Sequence, residues 1–181
     1  QQTQLYHDAQ IDYKDTKLNS GFVNITWQDN LLRAFPAHHH KETYSTDDMP
    51  TFREAGREPM VGEALIYNLS TGRGRVKQGR TKMEDGYYRG EEIQNQTKDT
   101  FFVSKSIYTT CDLDPDPHFH FESRQMKMIM DDKVIAKPII LYLGGIPVFG
   151  LPFGLFPDQG GKRHSGWIMP SYGENSRQGQ Y

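Results

Sequence analysis

Apolar residues fall at every second position in several separate runs of this chain. In "GFVNITWQD", Val23, Ile25 and Trp27 lie on one face, with Asn24, Thr26 and Gln28 on the other. "HFHFE" sets Phe119 and Phe121 against His118, His120 and Glu122, and "QMKMIM" puts Met126, Met128 and Met130 on a single face. A period of two is that of a strand with one apolar side, and no window of useful length has helical spacing. Turn signals punctuate the runs at hairpin spacing: "NSG" at 19–21, "STGRG" at 70–74, "EDG" at 84–86 and "DDK" at 131–133. "IDYKDTKLNSGFVNI" and "IYNLSTGRGRV" both read as strand, Tyr, polar turn with Thr, second strand. Successive hairpins of one kind predict an antiparallel stack, either a jelly roll or a solenoid-like pair of sheets.

Two intervals break this pattern. Residues 36–62, "PAHHHKETYSTDDMPTFREAGREPMVG", have no periodicity and read as a long loop or hairpin excursion. The histidines at 38–40 read as part of a solvated loop, with metal binding the alternative. The second interval is Pro138–Pro157, "PIILYLGGIPVFGLPFGLFP", which carries no charge. Its length is that of a membrane-spanning helix. Four prolines, each costing about 3 kcal/mol in a helix interior, exclude one. They also exclude a central strand. "KPIILYL" suits a strand; beyond Gly144–Gly145 the expectation is an extended, irregular apolar connector, covered by something apolar that need not be in this chain.

Composition narrows the function. The chain has 181 residues and a formal charge of −2, so there is no sustained basic field to gather phosphate backbones, and nucleic acid is not an expected partner. Tyrosine and phenylalanine number ten each and Gly plus Pro 27, which suits short strands and turns. The lone Cys111 cannot form an internal disulfide and reads as a small buried thiol. "QQTQLYHDAQ" has neither the basic start nor the apolar run of a secretory signal, so the chain is either not exported or already trimmed. There is no phosphate-binding Gly loop, no Gly-x-Ser-x-Gly and no CxxC. The best chemical candidate is His118-x-His120-x-Glu122, which on one strand face would offer two or three metal ligands at ~7 Å spacing. A solvated polar face is the simpler reading. The methionine stripe reads as half of a packed core, though methionine also makes adaptable surfaces for greasy ligands.

The order of the motifs is more specific than any one of them. "YTTCDLDPDPHFHFES", then "MKMIMDDKVIAKPIILYLGGIPVFGLPFGLFP", then "KRHSGWIMPSYGE" resembles the lipopolysaccharide-assembly outer-membrane protein family LptD (OstA family). The resemblance is strongest from Tyr108 to Glu174 and fair over Gly62–Glu92; before Pro36 only the repeat style matches. It implies an all-β fold, an antiparallel V-shaped β-jelly roll (OstA-like β-taco) open along one side. Residues 1–143 would form the periplasmic jelly roll. Residues 144–181 would form a proline/phenylalanine connector and the entrance to a barrel absent from this chain, so that the chain is the periplasmic portion of a longer protein.

The implied role is lipopolysaccharide transport and assembly at the outer membrane, on its periplasmic side, without catalysis or cofactor. Lipid A acyl chains would move along an apolar groove, for which Val23, Ile25, Trp27, Phe119, Phe121, Met126, Met128 and Met130 are the candidates. Pro147, Phe149, Pro152, Phe153, Phe156, Pro157 and Trp167 would form the barrel junction and lipid exit, with Trp167 as an interfacial anchor. Partners implied are lipopolysaccharide, the bridge protein LptA adding a strand near Leu5–Tyr13, the barrel of the same protein and its plug lipoprotein LptE. Cys111 would be open to an interdomain disulfide. Two other readings stand beside this one: a metal-dependent jelly-roll enzyme using His118, His120 and Glu122, and a periplasmic bridge protein of the same repeat family.

Overall fold

A computed structural model describes residues 1–13, 15–37, 48–83, 86–113, 116–130, 132–157, 174–175 and 179–180. Among these there is no α-helix, and so none long and apolar enough to cross a membrane. The strands are β1 (Gln2–Tyr13), β2 (Thr16–Thr26), β3 (Leu31–Phe35), β4 (Thr51–Glu54), β5 (Met60–Val61), β6 (Ala64–Asn68), β7 (Gly74–Met83) and β8 (Gly86–Thr97). They continue as β9 (Thr100–Thr109), β10 (Phe119–Ile129), β11 (Lys133–Leu143), β12 (Ile146–Leu151) and β13 (Gly154–Pro157), with a separate pair β14 (Glu174–Asn175) and β15 (Gly179–Gln180). All pairings are antiparallel, and β1 to β13 belong to one sheet. Several strands come in halves. Strands β3 and β4 both pair with β2, β5 and β6 both with β7, and β12 and β13 both with β11. Within the interval expected as an excursion, residues 51–61 thus form a hairpin of the sheet.

A crease runs across the sheet at the level of these breaks. Strict alternation spaces buried positions by even numbers, yet each of five successive strands has two buried residues three apart. They are Val76 and Gly79 in β7, Gly90 and Ile93 in β8, Val103 and Ser106 in β9, Ser123 and Met126 in β10, and Ala136 and Ile139 in β11. These positions are in register from strand to strand, one row running Gly79, Gly90, Ser106, Ser123, Ile139 and the other Val76, Ile93, Val103, Met126, Ala136. Between the rows two residues per strand turn outward, and the line Gln78, Glu91, Lys105, Arg124, Pro138 drops out of the ladder. Gln78 and Lys105 hold φ of 47° and 45°, a left-handed conformation that only a strong tertiary constraint maintains in non-glycine residues.

The crease folds the sheet double. Arg57 lies beyond Met60, which pairs with Thr81, itself paired with Tyr88. In a flat sheet the run from Tyr88 to Asp99 alone would separate Arg57 from Asp99 by roughly 35 Å. The two form an ion pair at 3.0 Å. Phe52 and Tyr67 likewise bring their ring centroids to 5.9 Å across the fold. The result is a V in section. One arm, mainly aliphatic, carries Val23, Ile25, Leu32, Leu65, Val76, Ile93, Val103, Met126 and Met128 on its inner side; the other carries Leu18, Phe52, Tyr88, Tyr108 and Phe121. This bears out the all-β, jelly-roll-like reading.

Small residues and serine hydroxyls make the crease possible. A Cβ built on Gly90 would sit 2.3 Å from Val103 Cγ1, and one on Gly79 2.6 Å from Ile93 Cδ1. Backbone groups that lose ladder partners must find others. Ser106 Oγ donates to the Ser123 carbonyl at 3.2 Å, while Ser123 Oγ donates to the Gln125 carbonyl and accepts from the Lys137 amide, both at 3.0 Å. Ser20, in the same role on β2, donates to the Phe35 carbonyl at 2.8 Å. The expected turn at "NSG" is therefore corrected: Asn19–Gly21 lie inside β2, and what resembles a turn signal is the crease crossing that strand. Gly90→Ala should lower unfolding stability by about 1–3 kcal/mol through overpacking. Gly150→Ala, whose nearest neighbour atom would be 3.8 Å away, should be close to neutral. Urea unfolding of the two variants side by side checks this.

Candidate functional site: an apolar cleft inside the folded sheet

Over strands β8 to β11 the two arms do not meet, and a cleft of about 200 Å3 opens between them. Tyr88, Tyr108 and Phe121 form one wall, with Met126, Val134 and Ala136 on the other; Ser106, Ser123 and Ile139 lie at the base, and Phe156 is at the rim. The aromatic wall is continuous. Tyr88 and Tyr108 have ring centroids 4.7 Å apart, and Tyr108 and Phe121 6.4 Å apart, in neighbouring strands. Glu122 is the charged residue at the edge. Such a lining suits an apolar guest, and the hydroxyls of Ser106 and Ser123 at its base are engaged with backbone carbonyls.

The crease decides which candidates meet there. Phe121 and Met126 have opposite parity along β10, yet both line the cleft because the inner face changes sides at Arg124–Gln125. Met128 is buried beside them, and Phe119 and Met130 are half-buried. Val23 and Ile25 are buried in the shared core near the other end of the sheet. Trp27 does not belong to that face. Strand β2 stops at Thr26, and Trp27 begins the turn to β3, 48% exposed, with its Nε1 donating to Thr3 Oγ1 at 2.8 Å. Trp167 lies outside the described residues, as do the histidines at 38–40.

The expectation of an irregular connector after Gly145 is overturned. Ile146–Leu151 pairs with Ile139–Leu143 of β11, and Gly154–Pro157 pairs with Lys133–Ala136, so the stretch is the edge of the sheet. The prolines fit because an edge strand needs hydrogen bonds on one side only. Pro147 adjoins a register shift, Pro152 falls in the break level with the crease, and Pro157 ends the strand. Phe149, Phe153 and Phe156 are nonetheless all exposed, Phe153 at 69%, as are Ile146, Val148 and Leu155. An edge with apolar residues on both faces joins the rim of the cleft through Phe156.

The three residues of the metal reading do not converge. His118 precedes β10 and turns to Cys111, with Nδ1 and Sγ 3.5 Å apart. His120 stacks on Tyr142 at 4.9 Å, its Nε2 3.4 Å from Glu122 Oε1. Among the described residues no group of three His, Cys, Asp or Glu side chains is placed to hold a metal ion. The charge of Glu122 raises the pKa of Tyr142 above its ordinary 10.0, with desolvation and the hydroxyl's hydrogen bond to Glu122 adding to it. A raised tyrosine pKa means that folding favours the neutral phenol, so this stability term is complete below pH ~10 and lost as pH rises through the folded value. Glu122→Gln should bring the Tyr142 titration back toward the ordinary value, read from phenolate absorbance against a Tyr142→Phe control.

Fold and cleft together define a class: an all-β domain whose folded antiparallel sheet encloses an apolar furrow. Comparison with known proteins makes this more specific. Residues 134–181, which begin in β11 and take in the whole apolar edge, match the family model described as LptD protein. The chain is 27% identical to the LPS-assembly protein LptD of Acinetobacter baylyi over 114 residues, which is 61% of this chain and 14% of that protein. With its counterpart in Nitrosospira multiformis it shares 28% identity over 123 residues, 66% of this chain and 13% of the relative. With that of Ralstonia nicotianae it shares 33% over 90 residues, 49% and 11%. These similarities support an LptD N-terminal domain, and the chain spans only 11% to 14% of the length of these relatives.

Proposed function

We propose that this domain carries the acyl chains of lipopolysaccharide along the inside of its folded sheet, on the periplasmic side of the outer membrane, and passes them to a barrel formed by a longer protein. The observation that carries the reading is the apolar cleft between the arms, continuous at Phe156 with an exposed apolar edge. Burying a twelve-carbon chain is worth on the order of 10 kcal/mol at ~0.8 kcal/mol per methylene, enough to hold lipid without covalent chemistry. The cleft is smaller than the ~300–1,000 Å3 of a pocket that encloses a drug-sized ligand, which suits one station on a slide. The edge β12–β13 would be the lipid exit, with Pro147, Phe149, Pro152, Phe153, Phe156 and Pro157 facing lipid or barrel wall and Trp167 anchoring at the interface.

The opposite edge supports a second contact. Strand β1 pairs with β2 alone among the described strands, leaving one side of Leu5–Tyr13 open to β-augmentation by a bridge protein of the LptA type. A bulge at His7 and Asp8, with φ of 61° and 49°, divides that edge, so an added strand would pair with Gln2–Tyr6 or with Ala9–Tyr13. Cys111, partly exposed, is available for an interdomain disulfide, and the plug lipoprotein LptE would meet the barrel.

Photo-crosslinkers at Phe121 and Met126 should capture lipopolysaccharide in cells, whereas those at Gln125 and Lys127 should not. Equal capture at all four positions would sink the groove reading. Proline substitutions scanned from Leu5 to Tyr13 should abolish crosslinking to the bridge protein wherever the lost N–H points away from β2, leaving the unfolding midpoint within a few degrees. If every such proline is tolerated, the edge is not a docking site.

A further inference from the structure

The inside of the V is not uniform along its length. Beside β8–β11 lies the open cleft, but between β4 and β7 the space is filled. There Phe52 and Met60 meet Leu65, Tyr67, Val76 and Phe101, leaving about 50 Å3 against about 200 Å3 in the cleft. Just outside this packed segment Arg57, in the turn between β4 and β5, spans the mouth of the V. Its Nη1 donates to Glu54 Oε2 at 2.7 Å and to the Lys98 carbonyl at 3.2 Å, and its Nη2 to Asp99 Oδ1 at 3.0 Å. Glu54 belongs to its own arm; Lys98 and Asp99 form the tip of the other. The Asp99 carbonyl also accepts from the Met130 amide at 2.9 Å, which ties that tip to the turn between β10 and β11.

We infer that the Arg57–Asp99 pair is a latch across the folded sheet, shut over the Phe52–Tyr67 constriction and released when an acyl chain passes between the β1 edge and the β8–β11 cleft. This rests on the acyl-chain reading above. A chain travelling inside the V meets a segment with no room for it, so the arms must part there. The crease is the natural hinge, since its ladder is already interrupted and small residues line it. At the far ends of the arms the guanidinium joins the two tips. Asp99 is 61% exposed, and an ion pair so open to water is screened by salt and readily broken, which suits a latch better than a rivet.

The test places spin labels on non-natural amino acids at the exposed positions Glu58 and Lys98 of the full-length protein, leaving Cys111 intact. The unloaded protein should give one short distance, and adding lipopolysaccharide should bring in a second, longer population. Arg57→Ala should show the longer population without lipid, and high salt should move the wild type in the same direction. In a Cys111→Ser background, Arg57→Cys/Asp99→Cys is joined by a thiol-reactive crosslinker with a reducible spacer, about as long as the arginine side chain it replaces. This protein should keep the short distance and lose several-fold of the lipopolysaccharide captured by a photo-crosslinker at Phe121, with recovery on reduction of the spacer. A distance unmoved by lipopolysaccharide that is demonstrably captured at Phe121 would overturn the latch alone. Absence of capture at Phe121 in the uncrosslinked protein would overturn the acyl-chain reading, and the latch with it.

Discussion

One geometric constraint organises this molecule: each strand that spans the fold must change its inner face at the same level, so that a single sheet can fold back on itself. A strand alternates its side chains with period two, and a sheet that kept that alternation would stay open, with one apolar side to cover. Here two successive outward residues in each strand reverse the parity, and the reversals are in register from β7 to β11. The sheet thereby becomes both walls of its own interior. The costs are local: left-handed backbone at Gln78 and Lys105, lost ladder bonds along one row, and close approach of neighbouring backbones. Gly79 and Gly90 relieve the last, and Ser20, Ser106 and Ser123 take up orphaned backbone groups.

The same crease explains why the interior is a packed core at one place and a cleft at another. Over β4–β7 the split strands bring Phe52 and Met60 close enough to the aliphatic arm to fill the space, and Arg57 closes the mouth. Over β8–β11 the strands run unbroken, no side chain among the described residues fills the gap, and Tyr88, Tyr108 and Phe121 face Met126, Val134 and Ala136 across it. Core and cleft are thus stretches of one face. Their difference is the separation of the arms.

At its two edges the sheet is finished differently. Strand β1 is long, and its only disruption is the bulge at His7–Asp8. The other edge is two short strands interrupted by proline and lined with exposed apolar residues, Phe149, Phe153 and Phe156 among them. Proline and short strands discourage strand addition, while exposed phenylalanines invite apolar cover. An edge built in this way suits lipid or the side of another domain better than a further strand.

By itself the sequence determined the strand content, the antiparallel order and that Pro138–Pro157 is no transmembrane helix. It also marked Phe121 and Met126 as inward apolar residues, though not Tyr88, Tyr108, Val134 or Ala136 beside them in the cleft. These follow from local periodicity, from turn chemistry at "STGRG" and "DDK", and from four prolines that no helix interior accommodates. It also carried the motif order that resembles the LptD family. Only the tertiary structure decided which of the apolar stripes share an interior. Counting by twos along β10 sets Phe121 and Met126 on opposite sides, and nothing local to "ESRQM" marks the reversal, because the neighbouring strands impose it. For the same reason "NSG" reads as a turn although it is a strand crossing the crease, and Trp27 reads as inward although β2 ends one residue before it. The apolar stretch Ile146–Pro157 reads as a connector because its prolines forbid a central strand. Its pairing with β11 depends on its being an edge, a position that the order of the whole sheet assigns and its own residues do not.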